Sequence, residues 1–292
     1  MCDERTIKES NEHLNSGNDL TRREFGALSA GAGLAMLLPR AADAQDVTEQ
    51  DVEVQTPDGV ADCYFVHPSA GTHAGVVIWP DILGLRPAFR QMGRRLAESG
   101  YSVLVVNPFY RSARAPVVAE GASFQDEAVR NTVFPMAQAL NAETHVTDAR
   151  AFVDFLDTQA AVDPERKIGT TGYCMGGPIT MRTAWARADR IGAGASFHGG
   201  GLVTDQSNSP HLLVAEMDAH YLFAIAENDD MNDPEAKNVL RETFASAGLP
   251  AEIEVYEGAL HGWCPPDSAV YNEAQAERAW SRLLALFETA LA

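Results

Sequence analysis

The sequence is short of cysteine, short of positive charge and without a long apolar run. Four cysteines in 292 residues are too few for a disulfide scaffold. Neither C-x-x-C nor H-E-x-x-H occurs, which argues against zinc, and no metal or organic cofactor is expected. Lys and Arg number 22 against 41 Asp and Glu, a formal charge of −19. That balance excludes nucleic acid and anionic membrane surfaces as partners. No apolar stretch reaches the roughly 20 residues a bilayer-spanning helix needs. Repeats and low-complexity tracts are missing too. What is there, 46% hydrophobic and 22% charged residues, reads as an ordinary globular protein able to bury a sizeable core.

The beginning has a different character. "TRREFGALSAGAGLAMLLPRAADAQ" carries paired Arg22 and Arg23, Phe25, an apolar run over 25–38 and a small-x-small ending at Ala42-Asp43-Ala44. This is the layout of a twin-arginine export signal. Residues 1–44 are therefore expected to be a cleaved signal and 45–292 a single domain. The twin-arginine translocase is the expected partner during export, no stable membrane anchor remains after cleavage, and the destination is the periplasm or the exterior. Cys63, Cys174 and Cys264 stay in the exported part, an odd number that leaves at least one unpaired thiol in a monomer.

Beyond a hairpin turning at Pro57-Asp58-Gly59, apolar segments alternate with helix-patterned ones. The pattern predicts core strands over 75–79, 101–106, 167–171, 192–197, 222–226 and 252–256. It predicts helices over 87–98, about 143–158, 177–186, 233–247 and 271–291. Continuous apolar strands with helices between them mean an α/β fold, a mostly parallel, doubly wound sheet covered on both faces. Ligands of such sheets bind beyond the carboxyl ends of the strands. The segment 112–140 shows no strong period and is read as a partly helical insertion or lid.

"TTGYCMGGP" (170–178) fits G-x-nucleophile-x-G, after a strand and before a helix that tolerates Pro178 in its first turn. Such a turn is sharp and strained. Its small flanking residues avoid the neighbouring strand and helix, and the positive helix end favours a thiolate at Cys174. A tight connection without function would look similar. In this fold class an acid and then a histidine follow the nucleophile along the chain. His261, in "YEGALHGW", follows the strand at 252–256. "AIAENDDMND" supplies the acid after the strand before it, with Asp229 chosen and Asp230 as the second choice; Glu227, Asp218 and Asp233 read as surface charges or helix caps. A Cys174–His261–Asp229 triad results. Met175 is placed to donate one amide to an oxyanion hole and Ile82, in "WPDILGL", the other. His198, in "FHGGG", falls near the cleft mouth or simply shapes a turn.

"GYCMGG", "ENDD", "EGALHGW" and "WPDILGLRPAFRQMGRRLAESGYSVLVVNPFYR" together resemble the dienelactone hydrolase family, whose elbow carries cysteine in place of serine. The resemblance covers essentially the exported part. It implies an α/β-hydrolase fold, the triad on Cys174, His261 and Asp229, and oxyanion amides from Ile82 and Met175. A small-molecule ester or lactone is the implied substrate. A family glutamate that holds the resting thiol corresponds to Asp81, one methylene shorter, which reads equally as an aspartate that shapes the turn. The arginine that follows the histidine in members acting on the dienelactone has no match in "HGWCPPD". Arg111, Arg114 and Arg130 are the available cations, as anion binders or as surface charges. Trp263 is a candidate apolar wall or a core aromatic. The competing classes are a redox-responsive Cys174–Cys264 pair and a binding protein without catalysis.

Overall fold

The structure is a computed structural model that describes Leu38 and residues 44–292. Apart from Leu38 and Ala44, the export signal read at 1–44 lies outside the described residues. Eight strands form one sheet: β1 (Val47–Thr56), β2 (Gly59–Pro68), β3 (Gly75–Trp79), β4 (Ser102–Val106), β5 (Ile168–Tyr173), β6 (Ile191–Phe197), β7 (His220–Ala226) and β8 (Ala251–Tyr256). Their spatial order is β1-β2-β4-β3-β5-β6-β7-β8. The hairpin turns where expected and adds antiparallel to β4, and every pairing from β4 to β8 is parallel.

The central strands are apolar along their whole length because both faces are covered. "GVVIW" of β3 and "SVLVV" of β4 are buried at every residue. One face carries α1 (Pro87–Glu98) and α7 (Glu273–Ala290), which seat Phe89, Leu96, Leu283 and Phe287. The other carries α3 (Ala142–Asp157), α4 (Gly176–Ala186) and α6 (Ala236–Ala247), which bury Phe152, Ile179 and Phe244. Local sequence sets the helix starts: Pro87 opens α1, and Asn141 and Thr144 form a reciprocal capping box at α3.

One helix departs from expectation, and the insertion is partly helical as read. The helix read over 233–247 begins at Ala236, and a separate short helix α5 (Glu227–Asn232) precedes it. The unpatterned insertion contains α2 (Glu127–Ala139), of which only Val133 is fully buried. Val133 joins Ile82 and Cys174 in a small apolar cluster apart from the two main cores. A 3-10 turn at Pro210–Glu216 was not anticipated either; it buries Pro210 and Val214.

Candidate active site

The site lies beyond the carboxyl ends of β3, β5, β6, β7 and β8, where parallel strands deliver loops to one rim. Between β5 and α4, Cys174 has φ 53°, a left-handed conformation that non-glycine residues seldom adopt. The surrounding glycines make that turn possible. A Cβ on Gly172 would meet the Gly176 carbonyl oxygen at 2.2 Å, and one on Gly176 would meet the Trp79 carbonyl oxygen at 2.4 Å. Backbone bonds pin the turn: Cys174 N–H donates to Phe197 O and Gly177 N–H to Cys174 O, both at 3.0 Å.

The loop after β8 brings His261 to this thiol. Its Nδ1–H faces both oxygens of Asp229, on α5, at 2.9 and 2.8 Å, and its imidazole also hydrogen-bonds the Cys174 side chain. Burial works against an imidazolium here. Asp229 and Cys174 outweigh it, and the pKa of His261 is pushed up to about 10. At neutral pH the imidazole is therefore protonated. Asp230 instead pairs with Lys237 at 2.5 Å. Ile82 and Met175 pack in the same small cluster as Cys174.

The sequence profile of the dienelactone hydrolase family matches residues 61–291. The chain belongs to the dienelactone hydrolase family. It is accordingly a hydrolase of the carboxylic-ester class, and its sheet is that of an α/β hydrolase. A carboxymethylenebutenolidase of Rhodococcus opacus is 28% identical over 233 residues, covering 77% of this chain and 85% of the relative. Two solved structures share the fold. A dienelactone hydrolase-like promiscuous phosphotriesterase from metagenomic libraries superposes with TM-score 0.70 at 20% identity, over 84% of this chain and 99% of its own. The Anabaena variabilis dienelactone hydrolase gives 0.60 at 15%, with the same two coverages.

This dienelactone hydrolase relative departs from the expected site at several positions. Asp81, read as a thiol-modulating acid or a turn-forming one, is gripped by Arg86: Nη1 reaches Oδ1 at 2.6 Å and Nη2 reaches Oδ2 at 3.0 Å. Oδ1 also accepts the Leu83 N–H at 2.9 Å, so the carboxylate shapes the oxyanion loop. Burial pushes the Asp81 carboxyl up, Arg86 opposes, and the neighbouring Cys174 adds to the rise. Arg86 continues to Asp267, six residues past His261, through Nε at 2.7 Å and Nη2 at 2.9 Å. Burial disfavours its charge, yet the two carboxylates hold its pKa above the ordinary arginine range. A buried guanidinium thereby joins the oxyanion loop to the histidine loop.

The other candidate substrate contacts divide between the readings left open for them. Arg111 is bound to Asp58 and to the buried Asp148, and Arg114 is an exposed partner of Glu53, so neither guanidinium is directed to the thiol. Trp263 is fully buried, stacked on Tyr256 with ring centroids 5.4 Å apart, and is a core aromatic rather than a cleft wall. His198 does reach the site, packing edge-on against His261 at 5.0 Å with φ 42°. Burial and the adjacent His261 charge push its pKa well down, so the ring is neutral. Cys264 lies with Tyr173 and Leu283 in the core beneath α7, and Cys63 in the opposite core. All three described cysteines are unpaired to one another, and burial pushes the Cys63 and Cys264 thiols up, which makes them unreactive.

Two residues of the site carried no sequence signal. Asn228 accepts the His261 N–H on Oδ1 at 2.8 Å and so fixes the histidine loop from α5. Arg86 meets a partner 181 positions away, a separation no local spacing rule can detect.

Proposed function

We propose that the protein is a cysteine hydrolase of activated esters and enol lactones that works through a thioester acyl-enzyme. The chain of contacts from Asp229 through His261 to the strained Cys174 carries this reading. The Cys174 thiolate attacks the carbonyl carbon, and the oxyanion settles against the amides of Ile82 and Met175, each worth about 3 kcal/mol in comparable sites. Collapse breaks the C–O bond. The imidazolium of His261 protonates the departing oxygen and is left neutral, able to take a proton from water as that water attacks the thioester. Breaking the C–S bond releases the acid and restores the thiolate–imidazolium pair. Asp229 keeps the ring oriented throughout.

Sulfur narrows the choice of substrate. In the tetrahedral intermediate a thiolate leaves more readily than an alkoxide, so an ordinary ester reverts. An enol ester or lactone expels a weaker base and goes forward. The name of the Rhodococcus opacus relative, a butenolidase, is in keeping with a lactone substrate. The paired arginines and short apolar run favour export by the twin-arginine route to the periplasm or beyond.

A panel of p-nitrophenyl esters and enol lactones, run on wild type, Cys174→Ala and Cys174→Ser, tests the proposal. Wild type is expected to hydrolyse the activated members, and Cys174→Ala to lose at least about 10³-fold in kcat. Equal rates in wild type and the alanine variant would remove Cys174 from the mechanism.

A further inference from the structure

Apart from its partner His261, the side chains that cluster with the thiol are apolar. Cys174 is 2% exposed and Val133 of α2 is 0% exposed. Around them stand Ile82, Val118, Phe124, Phe134 and Met175. Phe124 and Phe134 meet edge to face at 5.5 Å, so the covering segment contributes its own aromatic patch. The arginines on and around this segment are bonded to other protein groups. Arg130 gives Nη1 to the carbonyls of Phe124 and Gln125 at 3.0 and 2.5 Å. Arg86 is shared by Asp81 and Asp267, and Arg111 by Asp58 and Asp148. The two acids of the site are already paired, Asp229 with His261 and Asp81 with Arg86.

We infer that the acyl group accepted by this site is uncharged and apolar, and that it occupies the space beside Cys174 into which Val133 and its neighbours now pack. The inference rests on the cysteine-hydrolase reading above and adds the substrate class. A carboxylate on the acyl chain loses its hydration on entering an apolar wall whose side chains offer no counter-ion. An alkyl or aryl acyl group replaces the lid's apolar contacts with equivalent ones. The thiol is reached when the segment 112–140 lifts, and an apolar acyl chain stabilises the lifted state by covering what the lid exposes.

A matched pair of esters, p-nitrophenyl pentanoate and mono-p-nitrophenyl glutarate, isolates the charge, with each rate corrected for the ester's own alkaline hydrolysis. Wild type is expected to favour the neutral ester by about 100-fold in kcat/KM. Phe134→Lys, which places a cation in the partly buried lid patch, is expected to narrow that ratio at least 10-fold; Val117→Lys serves the same purpose if the first variant does not fold by circular dichroism. An equal or anionic preference in wild type, abolished in Cys174→Ala, would overturn the substrate class while keeping the nucleophile. If that preference also vanished in Arg182→Gln, the receiving group would be Arg182, a buried guanidinium that bonds Asn208 O and has no acid partner among the described residues. Persistence of both activities in Cys174→Ala would overturn the nucleophile assignment and this inference together.

Discussion

Cys174 is held from behind by main chain against main chain: Gly172, Gly176 and Gly177 lie so close to neighbouring backbone and side-chain atoms that no Cβ fits. The segment 112–140 in front of it holds on through a few side chains. Its helix α2 has no side-chain cap at Asp126, carries Pro135 in its interior and buries only Val133 fully, whereas α3, next along the chain, opens with a complete capping box. The contrast follows from what each wall must do. Oxyanion donors and nucleophile need fixed positions where charge develops, and a cover over a buried thiol has to open at low cost.

The largest expected effect comes from the fixed wall's catalytic contacts. Asp229→Asn is expected to lower kcat by about 10³-fold, roughly 4 kcal/mol of transition-state stabilisation. It also removes one of the two groups that raise the pKa of His261 to about 10. In wild type the imidazolium is present below that value and lost above it, so kcat/KM falls on the alkaline side through about pH 10; in the variant this limb moves to lower pH. A pH–rate profile from 7 to 11 with an unmoved limb would detach Asp229 from the titration.

Next is Gly176→Ala. The added Cβ would meet backbone oxygen of Trp79 at 2.4 Å, and since neither partner is a flexible side-chain end, a loss of about 3 kcal/mol in stability is expected. Urea unfolding measures it; a loss below about 1 kcal/mol would show that the elbow yields more than described. The smallest effect belongs to the lid. Val133→Ala is expected to cost about 1–2 kcal/mol while speeding alkylation of Cys174 by iodoacetamide. Unchanged alkylation would mean that the lid does not limit access.

Much of this architecture was readable in the residues. The strand at 75–79 and the helix at 87–98 were expected at the bounds observed, because an unbroken apolar run and a proline-led amphipathic stretch each leave little freedom. The glycine pattern around Cys174 announced an elbow for steric reasons that act within a few residues. Choices that depend on distant partners were not readable. Spacing alone left Asp229 and Asp230 both open, and Lys237 separates them by pairing with Asp230. Arg111 stayed open between anion binder and surface charge because Asp148 lies 37 positions away. Trp263 stayed open between wall and core because nothing local reveals that Tyr256 stacks on it. The segment 112–140 was read as a partly helical insertion or lid, but the bounds of its helix were not legible, since it fully buries only Val133, too little to imprint a period.

The clasp made by Arg86 joins Asp81, from the first third of the chain, to Asp267, which follows His261 near its end. During synthesis the elbow leaves the ribosome long before its histidine does. A nascent or truncated chain therefore carries a thiol with neither its base nor the anchor of its oxyanion loop, and reactivity begins only with the completed polypeptide.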